Sequence, residues 1–95
     1  MSLLFEWDID KARRNLDKHG VTFEEAKTVF NDSNLLTYPD ADHSDWEERY
    51  VNMGMSSKLS VLVVVHTERG DNVVRIISCR RATTSEAKAY EESIS

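Results

Sequence analysis

The hydrophobic positions fall into blocks with two different periods. In "FEWDIDKARRNLDKHG", Ile9, Ala12 and Leu16 recur at spacings of three and four, the stripe of a helix. Asp8 or Asp10 suits its N-cap, and Gly20 ends it as a left-handed C-cap. "TFEE" opens a second helix, with Thr22 and Glu25 in capping-box positions and Val21 and Ala26 where a hydrophobic staple sits. Ala26, Val29 and Phe30 form its predicted buried side. The preceding "LLFEW" reads as a short strand.

Beyond "NLLTY", a brief strand stopped by Pro39, the period drops to two. "RYVNMGM" alternates Val51, Met53 and Met55 with Tyr50, Asn52 and Gly54, a half-buried strand. "KLSVLVVVHTERGDNVVRIISCRR" is two strands around a turn. "TTSE" is a capping box from Thr83 to Glu86, opening a last helix with Ala87, Tyr90 and Ile94 expected to face inward. The order is (β)ααββββα. It predicts an α+β fold, a small antiparallel sheet with helices packed mainly on one face, in a single domain over residues 1–95.

The register of the hairpin decides which side chains meet. With Gly70 and Asp71 at the centre of a type II′ turn, Arg69 faces Asn72 and His66 faces Arg75. One sheet face then collects Leu62, Val64, His66 and Glu68 with Arg75, Ile77, Cys79 and Arg81. The other collects Val61, Val63 and Val65 with Val74, Ile76, Ser78 and Arg80. The second is more uniformly apolar in its middle, so the helices are expected there. Glu68, His66 and Arg75 become neighbours on the open face. One extra residue in the turn changes which side chains share a face.

Charge narrows the partners. The 95 residues carry a net charge of −5. Residues 1–48 hold five Lys/Arg against twelve Asp/Glu, and residues 49–95 hold seven against five. Non-specific nucleic-acid binding rests on phosphate neutralisation, so contact with RNA or DNA requires a local basic patch or a partner. One cysteine excludes an internal disulfide and a multi-cysteine zinc site, and it fits a reducing cytosol. The longest apolar run, "VLVVV", is far short of the roughly 18 residues of a membrane span. A cytoplasmic protein away from membranes is expected.

The candidate chemistry concentrates in "RIISCRRAT", which holds Arg75, Arg80 and Arg81. A strand-end arginine is most often solvated or paired with a carboxylate. Arg75 in mid-strand needs a partner, and Glu68 and Glu48 are candidates. His66 ordinarily titrates near neutrality. "DADHSDWEER" surrounds His43 with acids but matches no EF-hand or zinc spacing, so it reads as an acidic loop and no metal is expected. Trp7 and Trp46 are candidate base-stacking aromatics, although anchoring the first helix suffices for Trp7. No phosphate-binding glycine loop and no GxSxG appear, so neither a cofactor nor a serine hydrolase is supported.

Taken in order, "FEWD", "KARRNLDKHGVTFEEAKTVF", "D-HS-WEERY", "GMSSK", "LVVVHTERG", "RIISCRRAT" and "EAKAYEE" resemble the BrnT toxins of type II toxin–antitoxin systems over nearly the whole chain. The resemblance implies a RelE-like fold and a metal-independent endoribonuclease that blocks translation. It also implies a BrnA-like antitoxin whose DNA-binding portion lets the complex repress its own promoter, so that DNA is met only through the antitoxin. RNA is the implied substrate, and the ribosome is a candidate for positioning it. Cleavage without a metal needs a base for the 2′-OH, a cation for the phosphorane and an acid for the leaving 5′-oxygen. Arg75 is expected as the phosphate clamp, because a guanidinium fork holds two phosphate oxygens. His66 is expected as acid or base, with Glu68 or Glu48 orienting it or acting as base. Arg49, Arg80 and Arg81 are expected as RNA contacts. The alternative is a catalytically weak or inactive toxin-like subunit that acts with a DNA-binding antitoxin in autoregulation. A last helix whose sole basic residue is Lys88 favours it.

Overall fold

The computed structural model describes residues 2–40 and 47–95. The acidic loop around His43 and Trp46 lies outside the described residues. The chain runs β1 (Leu4–Glu6), α1 (Ile9–His19), α2 (Phe23–Lys27), a 3₁₀ turn (Thr28–Asn31), β2 (Leu36–Pro39), β3 (Arg49–Met55), β4 (Val61–Arg69), β5 (Val73–Arg81) and α3 (Thr84–Ile94). The strands form one sheet in the order β1-β5-β4-β3-β2. It is antiparallel except at β1, which lies parallel to β5.

The helix ends form for the reasons the sequence gives. Asp8 caps α1 by accepting from the Asp10 and Lys11 N–H groups at 2.9 and 3.1 Å. The Lys11 N–H, foremost, holds its carboxyl below the usual range. Gly20, at φ 71°, closes the helix with its N–H on the Leu16 carbonyl. At α2 only half of the expected box forms. Thr22 accepts from the Glu25 N–H, but the buried Glu25 carboxylate accepts from Ser56 Oγ at 2.6 Å instead of turning back. At α3 both halves form. Glu86 also grips Arg80 at 2.7 and 2.9 Å, and that pairing draws its carboxyl down to about 2. Tyr90 is buried as expected and donates to Asp32, whereas Ile94 is exposed.

The sheet faces differ from the expected ones. Arg69 pairs with Val73, so three residues stand in the turn, and a bulge follows between Val65 and His66. Helices α1 and α2 cover the face that holds Leu62, Val64 and His66, together with Val74, Ile76 and Cys79. Val61, Val63 and Val65 point to the other side, where Val63 shares a groove with Ser85, Glu86 and Ala89 of α3. The same inversion occurs on β3. Asn52 and Gly54 face the α1–α2 core, and Val51 and Met53 face the α3 side. Glycine fits closely at position 54, where a Cβ would lie 2.8 Å from Leu35 Cδ1 and 3.3 Å from Val29 Cβ and would make one or both shift.

Helix α1 contributes to the core in an unexpected way. Its apolar stripe is largely outward, with Ile9 66% and Leu16 44% exposed. Its buried residue is Asn15. The Asn15 amide accepts from the Cys79 N–H at 3.0 Å and donates to the Cys79 carbonyl at 2.9 Å. One side chain thus replaces a neighbouring strand where β1 has ended. Burial pushes the Cys79 thiol up to about 11, so it stays a neutral core group.

Candidate active site at the hairpin end of the sheet

The expected meeting of His66 and Arg75 does not occur. The three-residue turn and the bulge pair His66 with Ile76 and Arg75 with Thr67, so the two side chains leave opposite faces of the sheet. Arg75 faces Glu6 across the parallel β1 pair and donates to its carboxylate at 2.6 Å. Its partner is neither Glu68 nor Glu48.

His66 is 2% exposed and is enclosed by rings. Phe30 meets it edge-on at 5.2 Å, and Tyr50, its cross-strand neighbour, stacks on it at 5.3 Å. Its nitrogens are fixed by a polar chain. Thr37 Oγ1 donates to Asn52 Oδ1 at 2.9 Å, which orients the amide. The Asn52 NH₂ then donates to the Val64 carbonyl at 3.0 Å and faces His66 Nδ1 at 2.6 Å. Nδ1 is therefore the acceptor, and the ring proton sits on Nε2, 3.4 Å from Glu68 Oε2. Burial lowers the imidazole's affinity for a second proton; Glu68 opposes that shift without cancelling it. His66 is thus a neutral ring that steadies an exposed carboxylate.

Glu68 opens into a cavity of about 550 Å³ at the hairpin end, lined by Glu47, Glu48, Tyr50, Thr67, Glu68, Arg69 and Gly70. Tyr50 donates to Glu48 Oε2 at 2.9 Å, and that hydrogen bond pushes the phenol's pKa up. Thr67 Oγ1 donates to the Glu48 carbonyl at 2.7 Å. Arg69 has no carboxylate partner among the described residues.

Of the other expected RNA contacts, Arg49 borders this cavity through Glu47, and Arg80 and Arg81 stand apart from it. Arg49 lies across β4 from Arg75, with its Nε buried, 3.7 Å from Glu47 and without a hydrogen bond. Arg80 is committed to Glu86. Arg81, on the face opposite Arg75, reaches the His19 carbonyl at the end of α1. Trp7 packs edge-on against Phe23 as an anchor. Tyr50, Asn52 and Arg69 escaped the sequence reading. Their signal was positional: Tyr50 and Asn52 alternate on the face of His66, and Arg69 directly precedes the turn.

A small α+β protein with a steadied surface carboxylate is one equipped for acid–base chemistry. The comparisons are more specific. The chain belongs to the family of BrnT ribonuclease toxins of type II toxin–antitoxin systems, whose family model matches residues 7–86. It is similar to the 1.1 Å crystal structure of the Brucella abortus ribonuclease toxin BrnT, with a TM-score of 0.64 and 24% identity over 88% of this chain and 99% of that one. At that identity the likeness shows the fold. No curated protein matches the chain. Membership of a type II system implies an antitoxin partner. Among the described residues no helix is long and apolar enough to cross a membrane.

Proposed function

We propose that the chain is an endoribonuclease that cleaves RNA by attack of a 2′-OH on the adjacent phosphorus, at the cavity beside Glu68. The observation that carries this reading is the chain Thr37–Asn52–His66–Glu68, which ends in an exposed carboxylate at the cavity wall. Glu68 takes the proton of the 2′-OH. The 2′-oxygen bonds to phosphorus, the bond to the 5′-oxygen breaks, and a 2′,3′-cyclic phosphate remains. Arg69 neutralises the crowded phosphorane. Tyr50, kept protonated by Glu48, supplies the proton to the leaving oxygen. His66 is a positioning residue, since at 2% exposure it does not reach substrate. No metal takes part in this scheme.

In the cell this activity inhibits translation, with the ribosome as the candidate that presents the RNA. A BrnA-like antitoxin neutralises it, and that partner carries the DNA-binding portion through which the complex represses its promoter. One observation favours the second reading, a toxin-like subunit with little catalysis. Three carboxylates, Glu47, Glu48 and Glu68, line the cavity with one cation, Arg69, while Arg49 lies 3.7 Å from Glu47, and the excess of carboxylates is an adverse field for phosphate. Expression in cells separates the two. Wild type is expected to arrest growth and degrade RNA, while folded Glu68→Gln is expected to do neither. Growth unaffected by wild type, or arrest undiminished by Glu68→Gln, refutes the proposal.

A further inference from the structure

Apart from the acidic cavity, with which it shares no lining residue, α1 presents a basic edge. Lys11, Arg14 and Lys18 lie along one helical stripe, at i, i+3 and i+7, and line a groove of about 400 Å³ with Asn15, Ile77 and Ser78 of the adjoining strand β5. None of the three cations forms a salt bridge among the described residues. Asp10 and Asp17 of the same helix do not line the groove. In a chain of net charge −5, three cations on one stripe without a salt bridge concentrate positive potential, offset in part by Asp8 at the start of α1, whose carboxylate feels Arg14 and Lys11.

The groove's form selects among anions. An added peptide strand needs the outward N–H and C=O of β5, and at Cys79 both are already taken by Asn15. A phosphate backbone needs only spaced cations. Along α1 the steps from Lys11 to Arg14 and from Arg14 to Lys18 are about 4.5 and 6 Å, comparable to successive phosphates of a flexible single strand. The groove also leads somewhere. From Ser78, β5 runs back about 10 Å to Arg75. Arg75, held by Glu6 of β1, pairs across the sheet with Thr67, which lines the cavity of Glu68.

We propose that the groove between α1 and β5 is a track for single-stranded RNA, with Lys11, Arg14 and Lys18 neutralising successive phosphates and the strand passing Arg75 to the cavity. The proposal rests on the ribonuclease reading for its substrate but not for its test. The probe is a short fluorescent single-stranded RNA, 2′-O-methylated throughout so that it cannot be cleaved, titrated with the full chain across a range of salt. Relative to wild type, the variant Lys11→Gln/Arg14→Gln/Lys18→Gln is expected to bind about tenfold or more weaker near 0.1 M salt, with a salt slope reduced by about 2. The comparison variant Arg13→Gln/Lys27→Gln/Lys88→Gln removes the same charge off the groove and is expected to bind nearly as wild type. Equal losses in the two triple variants, or no binding by wild type, overturns the track. Wild type that binds this probe through the groove but leaves ordinary RNA intact refutes the ribonuclease reading and leaves the track standing.

Discussion

Two asparagines organise the interior, and their roles follow from unmet backbone and ring partners. Asn15 substitutes for a missing strand at Cys79, and Asn52 fixes the tautomer of His66. Neither was legible in the sequence, because periodicity treats a polar residue as outward and cannot see where a neighbouring strand stops. Asn15→Ala takes the amide partner from the Cys79 N–H and from the Cys79 and Val21 carbonyls, and is expected to cost about 2–4 kcal/mol in urea unfolding. His66 carries a pH signature. Its folded pKa lies below the ordinary imidazole value of about 6.5, so the unfolded chain binds a proton the folded chain refuses. The stability this confers is complete above that value and falls as pH drops from it toward the folded pKa. Unfolding of wild type and His66→Gln between neutral and mildly acid pH is expected to show a shallower decline in the variant. Parallel declines would assign the pH dependence to other groups.

At the level of elements, caps and turns were legible and faces were not. Asp8, Gly20, Thr83 and Glu86 act where their residue types predict, since a cap is a local matter of three or four residues. Register is not local. One more residue in the Gly70 turn and one bulge moved His66 to the core side and Arg75 to the other. Apolar alternation on β3 and β4 was also ambiguous, because both faces are covered, one by α1 and α2 and the other in part by α3. That arrangement made the Val63 face read as the more apolar one and drew the helices to it, and the small residue at position 54 was the clue to the other face. Gly54→Ala brings a methyl against Leu35 and Val29, and is expected to destabilise by about 1–3 kcal/mol in thermal or urea unfolding. A neutral effect would mean that the 3₁₀ turn yields easily.

At the scale of the molecule, charge is divided. Carboxylates gather around the cavity of Glu68, and cations line the groove beside α1. Net charge alone argued against RNA, and it hid this separation because Lys11, Arg14 and Lys18 sit in the acidic half of the chain. A division of labour accounts for both features, with affinity supplied along α1 and proton transfer at the hairpin end. The most direct measurement is cleavage of RNA by purified protein in the presence of a chelator, with the product ends identified. The account predicts 2′,3′-cyclic phosphate ends from wild type and a rate about 10²–10⁴ lower for folded Glu68→Gln. Cleavage by Glu68→Gln at the wild-type rate, or intact RNA with wild type, would contradict it.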